Sequence, residues 1–178
     1  MKTMERTQRW EVLNYIVSEL QKKGQIGHTL LQKLVYLLQS AKGIPLGYDF
    51  HLHYYGPYSE ALWGDINLLK NFGVLEIESE AATGGYRITS KKGADPKKVK
   101  ELEDKINTLV NFLGKKYVKQ LELYATTYYV LDDLKRKNRP YTDSQVAKHV
   151  EALKPHISRN QVLSALKELR EKAVLLDG

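Results

Sequence analysis

The sequence predicts a mainly α-helical chain with a small β component. It is arranged as a winged-helix-like domain over 1–93, a helical connector over 94–139 and a helix-turn-helix over 140–178 that forms a second winged-helix-like unit. Three observations carry this. Apolar residues recur three and four apart through most of the chain. Two short alternating segments flank a turn at Ala82-Thr83-Gly84-Gly85. Ile66, Leu69, Val74 and Leu75 return in register as Leu166, Leu169, Val174 and Leu175, so a helix running into a strand is used twice.

Trp10, Leu13, Ile16, Val17 and Leu20 form the stripe of a first helix, which Lys22-Lys23-Gly24 ends. Thr29-Leu30-Leu31-Gln32 has the form of a capping box and opens a second helix through Leu34, Val35 and Leu38 to Gly43. Residues 48–55 alternate as a half-buried strand, Gly56-Pro57 turns the chain, and Ser59 caps a third helix that stops at Gly73. Strands over 74–79 and 86–89 follow as the wing. The basic stretch 91–100 then leads to helices ending at Gly114 and spanning 117–137, whose seams close as a hairpin or pair with a second copy. Capping boxes at Thr142/Gln145 and Ser158/Gln161 open the last two helices.

The chain has 178 residues and a net charge of +7, with no cysteine to support a disulfide scaffold, a thiol nucleophile or a thiolate zinc site. The start of the chain leads into no apolar signal region and the longest apolar run, 34–38, is far too short to cross a membrane, so a cytoplasmic protein is expected. Residues 1–90 hold nine basic and nine acidic side chains, against nineteen and twelve in 91–178. The positive excess therefore lies wholly in the second half, and duplex DNA is the partner that clustered positive charge nominates.

Within that half, the helix opened by Ser158 presents Arg159, Asn160 and Gln161, side-chain types that pair with guanine and adenine edges. Lys154, His156, Lys167 and Arg170 are placed to serve phosphates, as is the basic run Lys135, Arg136, Lys137 and Arg139, which also suits the C-terminal end of a long helix. In the first half the third helix sets Glu60 and Asp65 against Lys70 and is a poor reader of DNA. Tyr48, Tyr54, Tyr55, Tyr58 and Trp63 there either anchor a protein partner or fill the crevice between strand and helix. His51 and His53 share one strand face, but no acid or thiol at a recognisable spacing completes a metal set. No phosphate loop, dinucleotide fingerprint, nucleophile elbow or zinc-protease motif is present, so neither enzyme activity nor a cofactor is expected.

Leu31-Gln32-Lys33-Leu34-Val35-Tyr36-Leu37-Leu38, followed by Tyr54-Tyr55-Gly56-Pro57-Tyr58-Ser59, resembles the YwgA-like proteins over about the first 90 residues. More distantly, it is similar to the Panacea-domain antitoxins of the SocA type, which share a Lys-Leu-x-Tyr helix and a Tyr-Gly-Pro turn. The resemblance implies a winged-helix-like domain without catalysis and, on the Panacea side, neutralisation of a toxin by protein contact. Two functions are thus expected as alternatives: a DNA-binding transcriptional regulator whose first half binds a protein partner or a second copy, or an antitoxin- or adaptor-type interaction module that binds no DNA.

Overall fold

The computed structural model describes residues 2–24 and 26–175. Its elements run α1 (Arg6–Gln21), α2 (His28–Ser40), β1 (His51–His53), β2 (Gly56–Tyr58), α3 (Glu60–Asn71), β3 (Leu75–Glu80), β4 (Gly85–Ser90), a short 3-10 turn (Pro96–Val99), α4 (Glu103–Leu113), α5 (Val118–Arg136), α6 (Asp143–Leu153) and α7 (Arg159–Glu171). The chain is mainly helical, with two separate two-stranded antiparallel sheets.

Helix α2 is the centre. Leu30 through Leu38 are buried without interruption, because α4, α5, β2 and β4 all lie against it. A helix apolar nearly all round has no solvent face to offer, and the two polar residues within that run, Gln32 and Lys33, go inside with the rest. Gln32 therefore does not close a capping box with Thr29. Its amide takes both backbone groups of Ser59 instead: Nε2 donates to the carbonyl at 2.9 Å, and Oε1 accepts from the N–H at 2.9 Å. Helix α2 begins one residue earlier than Thr29, at His28, and its cap residue Gly27 offers no side chain.

The strand expected over 48–55 is limited to β1. The chain reverses at Tyr54-Tyr55, and Gly56 and Pro57 sit in β2, with His53 opposite Gly56 and His51 opposite Tyr58. Gly56 has φ +92°, and a Cβ there would sit 3.0 Å from Thr126 Oγ1 and 3.6 Å from Lys33 Cε. Only glycine lets this strand lie so close to α2 and α5. The second sheet pairs Leu75 with Ser90 through Glu80 with Gly85, and a single bridge from Gly27 to Arg87 joins it to the segment between α1 and α2.

Beyond the β3–β4 sheet, α4 and α5 do not zip together as a hairpin. Each is laid on α2, and they meet at the Phe112–Tyr124 ring pair. Helices α5, α6 and α7 pack on one another pairwise, and both C-terminal capping boxes form: Ser158 N–H donates to Gln161 Oε1 at 2.8 Å and Thr142 N–H to Gln145 Oε1 at 2.8 Å. One continuous hydrophobic cluster runs from Val12 through Ile106 and Tyr128 to Leu169, so the three sequence segments share a core.

The internal repeat has a shared cause. After α3, Val74 N–H donates to the Leu69 carbonyl at 2.9 Å across Gly73 at φ +67°. After α7, Val174 N–H donates to the Leu169 carbonyl at 2.9 Å across Ala173 at φ +54°. Both are left-handed helix ends of the Schellman kind. Residues 176–178 lie outside the described residues.

Two outcomes are expected. Holding alanine in the left-handed region costs roughly 1–2 kcal/mol, partly offset by its stiffer unfolded chain. Ala173→Gly therefore raises stability by about 1 kcal/mol in a thermal or urea melt, and no gain contradicts the cap. Because the core is shared, urea unfolding followed by the fluorescence of Trp10 and Trp63, both in the first half, coincides with loss of far-UV ellipticity from all helices; separated midpoints contradict this.

Candidate functional site

The tip of the β1–β2 hairpin carries Tyr54 and Tyr55, 81% and 51% exposed, with their rings edge to face at 4.9 Å. Two-residue turns seldom use two tyrosines, yet this one is held from beneath at several points. Lys33 Nζ donates to the Pro57 carbonyl at 2.6 Å. Lys154 Nζ donates to the His53 carbonyl at 2.9 Å and to that of Tyr54, and lies over the Tyr54 ring. Gln32 fixes Ser59 just past the hairpin.

Behind the hairpin lies a charge cluster that periodicity does not reveal. Lys33 is 2% exposed, Glu122 5% and Lys154 8%. Glu122 Oε1 stands 3.2 Å from Lys154 Nζ and 3.1 Å from His156 Nε2. Burial pushes the Lys33 ammonium down to about 8, with Glu122 opposing the shift and Lys154 adding to it. Beside it the Thr126 hydroxyl is buried with no hydrogen-bond partner.

His28, at the start of α2, is packed among rings: 4.1 Å from Trp63, 5.4 Å from Tyr58 and 6.2 Å from Tyr86. Burial, and secondarily Lys33, lowers its pKa to about 4, so it is neutral at physiological pH. Tyr58 and Trp63 are half-buried members of this ring cluster. Tyr48 is not an interface residue. It is buried, and its hydroxyl donates to Asp65 Oδ2 at 2.7 Å, where Arg9 Nε also donates at 3.0 Å. Asp65 is thereby withdrawn from the exposed face of α3 and leaves Glu60 as the acid there.

Most of the cations expected to contact DNA meet carboxylates of the chain itself. Arg159 Nε donates to Glu151 at 2.6 Å, Arg170 holds both oxygens of Asp143 at 2.6 and 2.7 Å, and Lys137 reaches Asp133 at 2.6 Å. Arg136 pairs with Asp132, Lys167 stands 3.8 Å from Glu171, and Gln161 closes its capping box. The Arg170 hydrogen bonds hold the Asp143 carboxyl below its ordinary range. Lys154, expected to serve phosphate, is buried. It precedes Pro155, which drives its backbone out of the helix to φ −135°, ψ 80° and turns the side chain into the core rather than toward solvent. His156 remains exposed beside Glu122, and Asn160 is exposed at the start of α7.

The basic run and Arg159 also occupy different sides of α6. Lys137 and Arg139 line a cleft with His149 and Leu153, whereas Arg159 is on the Glu151 side, about 200° round the helix from His149. In the 91–100 stretch, Lys91 stands 3.7 Å from Glu76 and Lys98 2.6 Å from Glu11. His51 faces Asp49, His53 stacks on Tyr58, and no three metal-ligating side chains come together among the described residues. No helix of the described residues is long and apolar enough to cross a membrane.

No protein-family model and no curated protein matches this chain.

The neutral His28 has a pH signature. Its folded value of about 4 lies below the ordinary 6.5, so between those values the unfolded chain binds the extra proton and stability rises with pH. The wild type gains roughly 2–3 kcal/mol relative to His28→Phe between about pH 4 and pH 6.5, with no further divergence above. Parallel stability curves for the two proteins across that window contradict the assignment.

Proposed function

We propose that this chain is a non-enzymatic, winged-helix-like protein-interaction module whose docking surface is the Tyr54-Tyr55 hairpin and the adjoining rings of Tyr58, Trp63 and Tyr86. The observation that carries the reading is the rigid display of two exposed tyrosines, braced by Lys33, Lys154 and Gln32. Rings already fixed in place give up little conformational entropy on binding, and tyrosine and tryptophan dominate interface energetics. The order of α1 to β4, with the Gly27–Arg87 bridge as a rudimentary third strand, supports the winged-helix reading of the first half. The resemblance of the same residues to YwgA-like and Panacea-type proteins points the same way, toward recognition by protein contact.

A second reading, DNA binding through α6 and α7, is supported by the two capped helices and by Lys135, Arg139 and Asn160, which have no carboxylate partner among the described residues. It is weaker, because DNA contact by Arg159, Arg170 or Lys137 requires each to leave an acid at 2.6 Å.

One pair of measurements separates them. In capture from the native host at high salt, the wild-type chain retains a protein in fixed stoichiometry that a Tyr54→Ser/Tyr55→Ser variant with unchanged circular dichroism loses by tenfold or more. Duplex-DNA titration of both proteins gives only weak, strongly salt-dependent binding. Submicromolar DNA binding abolished by Arg159→Ala and untouched by the tyrosine substitutions overturns the reading in favour of the second.

A further inference from the structure

The buried cluster does not balance its charge. Lys33 and Lys154 contribute two ammoniums and Glu122 one carboxylate, all more than nine-tenths buried. Glu122 is engaged by Lys154 and His156, while Lys33 has the Pro57 carbonyl and no ion-paired acid among the described residues. Burial of an ammonium whose neighbouring carboxylate is already taken is unfavourable, and it is relieved either by loss of the proton or by an anion that reaches the group.

Lys33 also lines an opening. A cavity of about 190 Å³ lies between the first turn of α2 and the hairpin, walled by His28, Thr29, Lys33, His53, Tyr55 and Tyr58 among others, with no acid in its lining. The start of α2 adds to its positive character. Gly27 supplies no side-chain cap and the first turn holds no acid, so the leading amides of the helix have no internal anionic partner.

We infer that this cavity receives a single carboxylate, from an acidic side chain of a partner segment that lies across Tyr54 and Tyr55. The inference rests on the interaction reading above and names the chemistry of the partner. A carboxylate fits better than a phosphoryl group on two counts. The uncompensated charge is one, which one carboxylate matches and a phosphoryl group of charge about −1.5 to −2 exceeds. The volume is that of about six water molecules, enough for a Glu or Asp side chain with its first methylenes. The flanking exposed rings then cover the apolar stem of that side chain and exclude water from the ion pair.

The test uses the full ¹⁵N-labelled chain and two blocked peptides, Ac-Phe-Glu-Phe-NH2 and Ac-Phe-Gln-Phe-NH2, with acetate and inorganic phosphate as small-ion controls at constant ionic strength. The expected result is saturable shifts of the His28, Thr29 and Gly56 amides, with the Glu peptide at least tenfold tighter than the Gln peptide and acetate perturbing the same amides weakly. Lys33→Met, which removes the buried charge together with the brace on the Pro57 carbonyl, abolishes the discrimination. Thr29→Glu, which sets a carboxylate of the chain at the mouth of the cavity, weakens the Glu peptide tenfold or more and supplies an independent variant if Lys33→Met does not fold. Equal affinity for the two peptides overturns the inference, as does phosphate binding tighter than the Glu peptide. Partner capture that needs Tyr54 and Tyr55 but ignores both Lys33→Met and Thr29→Glu also overturns it while leaving the docking surface intact. Loss of capture dependence on the tyrosines alone removes the docking surface without touching the peptide result.

Discussion

The burial of α2 on every side is the constraint from which the rest of the molecule follows. Nine consecutive residues, Leu30 to Leu38, are buried, and two of them are a glutamine and a lysine. A buried amide or ammonium without partners costs several kcal/mol, so whatever packs against that stretch of α2 must bring polar backbone with it. The β1–β2 hairpin does so. Ser59 offers a backbone donor and acceptor to Gln32, and Pro57 offers a carbonyl to Lys33. The hairpin is thus held by the needs of the helix beneath it more than by its own three-residue strands, which would be marginal alone.

The distribution of charge takes on a different meaning once the side chains are placed. The sequence puts its positive excess in the second half, but many cations there face acids across helix turns or between α6 and α7, including Arg159 with Glu151 and Arg170 with Asp143. These pairs fix how α6 and α7 meet, and exposed pairs of this kind contribute only about 0–1 kcal/mol each. The electrostatically unusual place is instead in the nominally neutral half, where Lys33 is enclosed and is joined by Glu122 and Lys154 from the other half of the chain.

Much of the helical scaffold was legible because amphipathic spacing reports burial directly. Helix α1, both C-terminal capping boxes and the helix end at Gly73 are local features with local signals, whereas Val174 and Leu175, expected to enter a strand, form a bend after the left-handed turn at Ala173. What was not legible depends on contacts distant in sequence. Thr29 and Gln32 have the spacing of a capping box, and only the arrival of Ser59 from 27 residues away decides that Gln32 turns inward. A strand was readable around 51–53, but its turn was not, since two tyrosines at a hairpin tip defy turn preferences and are held by Lys154 from about a hundred residues on. Glu122 was hidden because α5 is contacted by α2, α6, α7 and β2, and a helix enclosed by that many neighbours no longer has a single buried stripe. The one usable signal for Lys154 was the proline after it, which removes a residue from helical geometry and from the surface pattern that geometry implies.

Lys154 also ties the two halves of the molecule into one equilibrium. Its backbone is the last residue before the turn into α7, and its ammonium grips the hairpin carbonyls of His53 and Tyr54. A force that displaces the α6–α7 turn must loosen the hairpin, and a partner that rigidifies the hairpin must steady the turn by the same free energy, since such coupling is reciprocal. Residues far apart in the chain are in this way bound to respond together, with a single side chain as the lever between them.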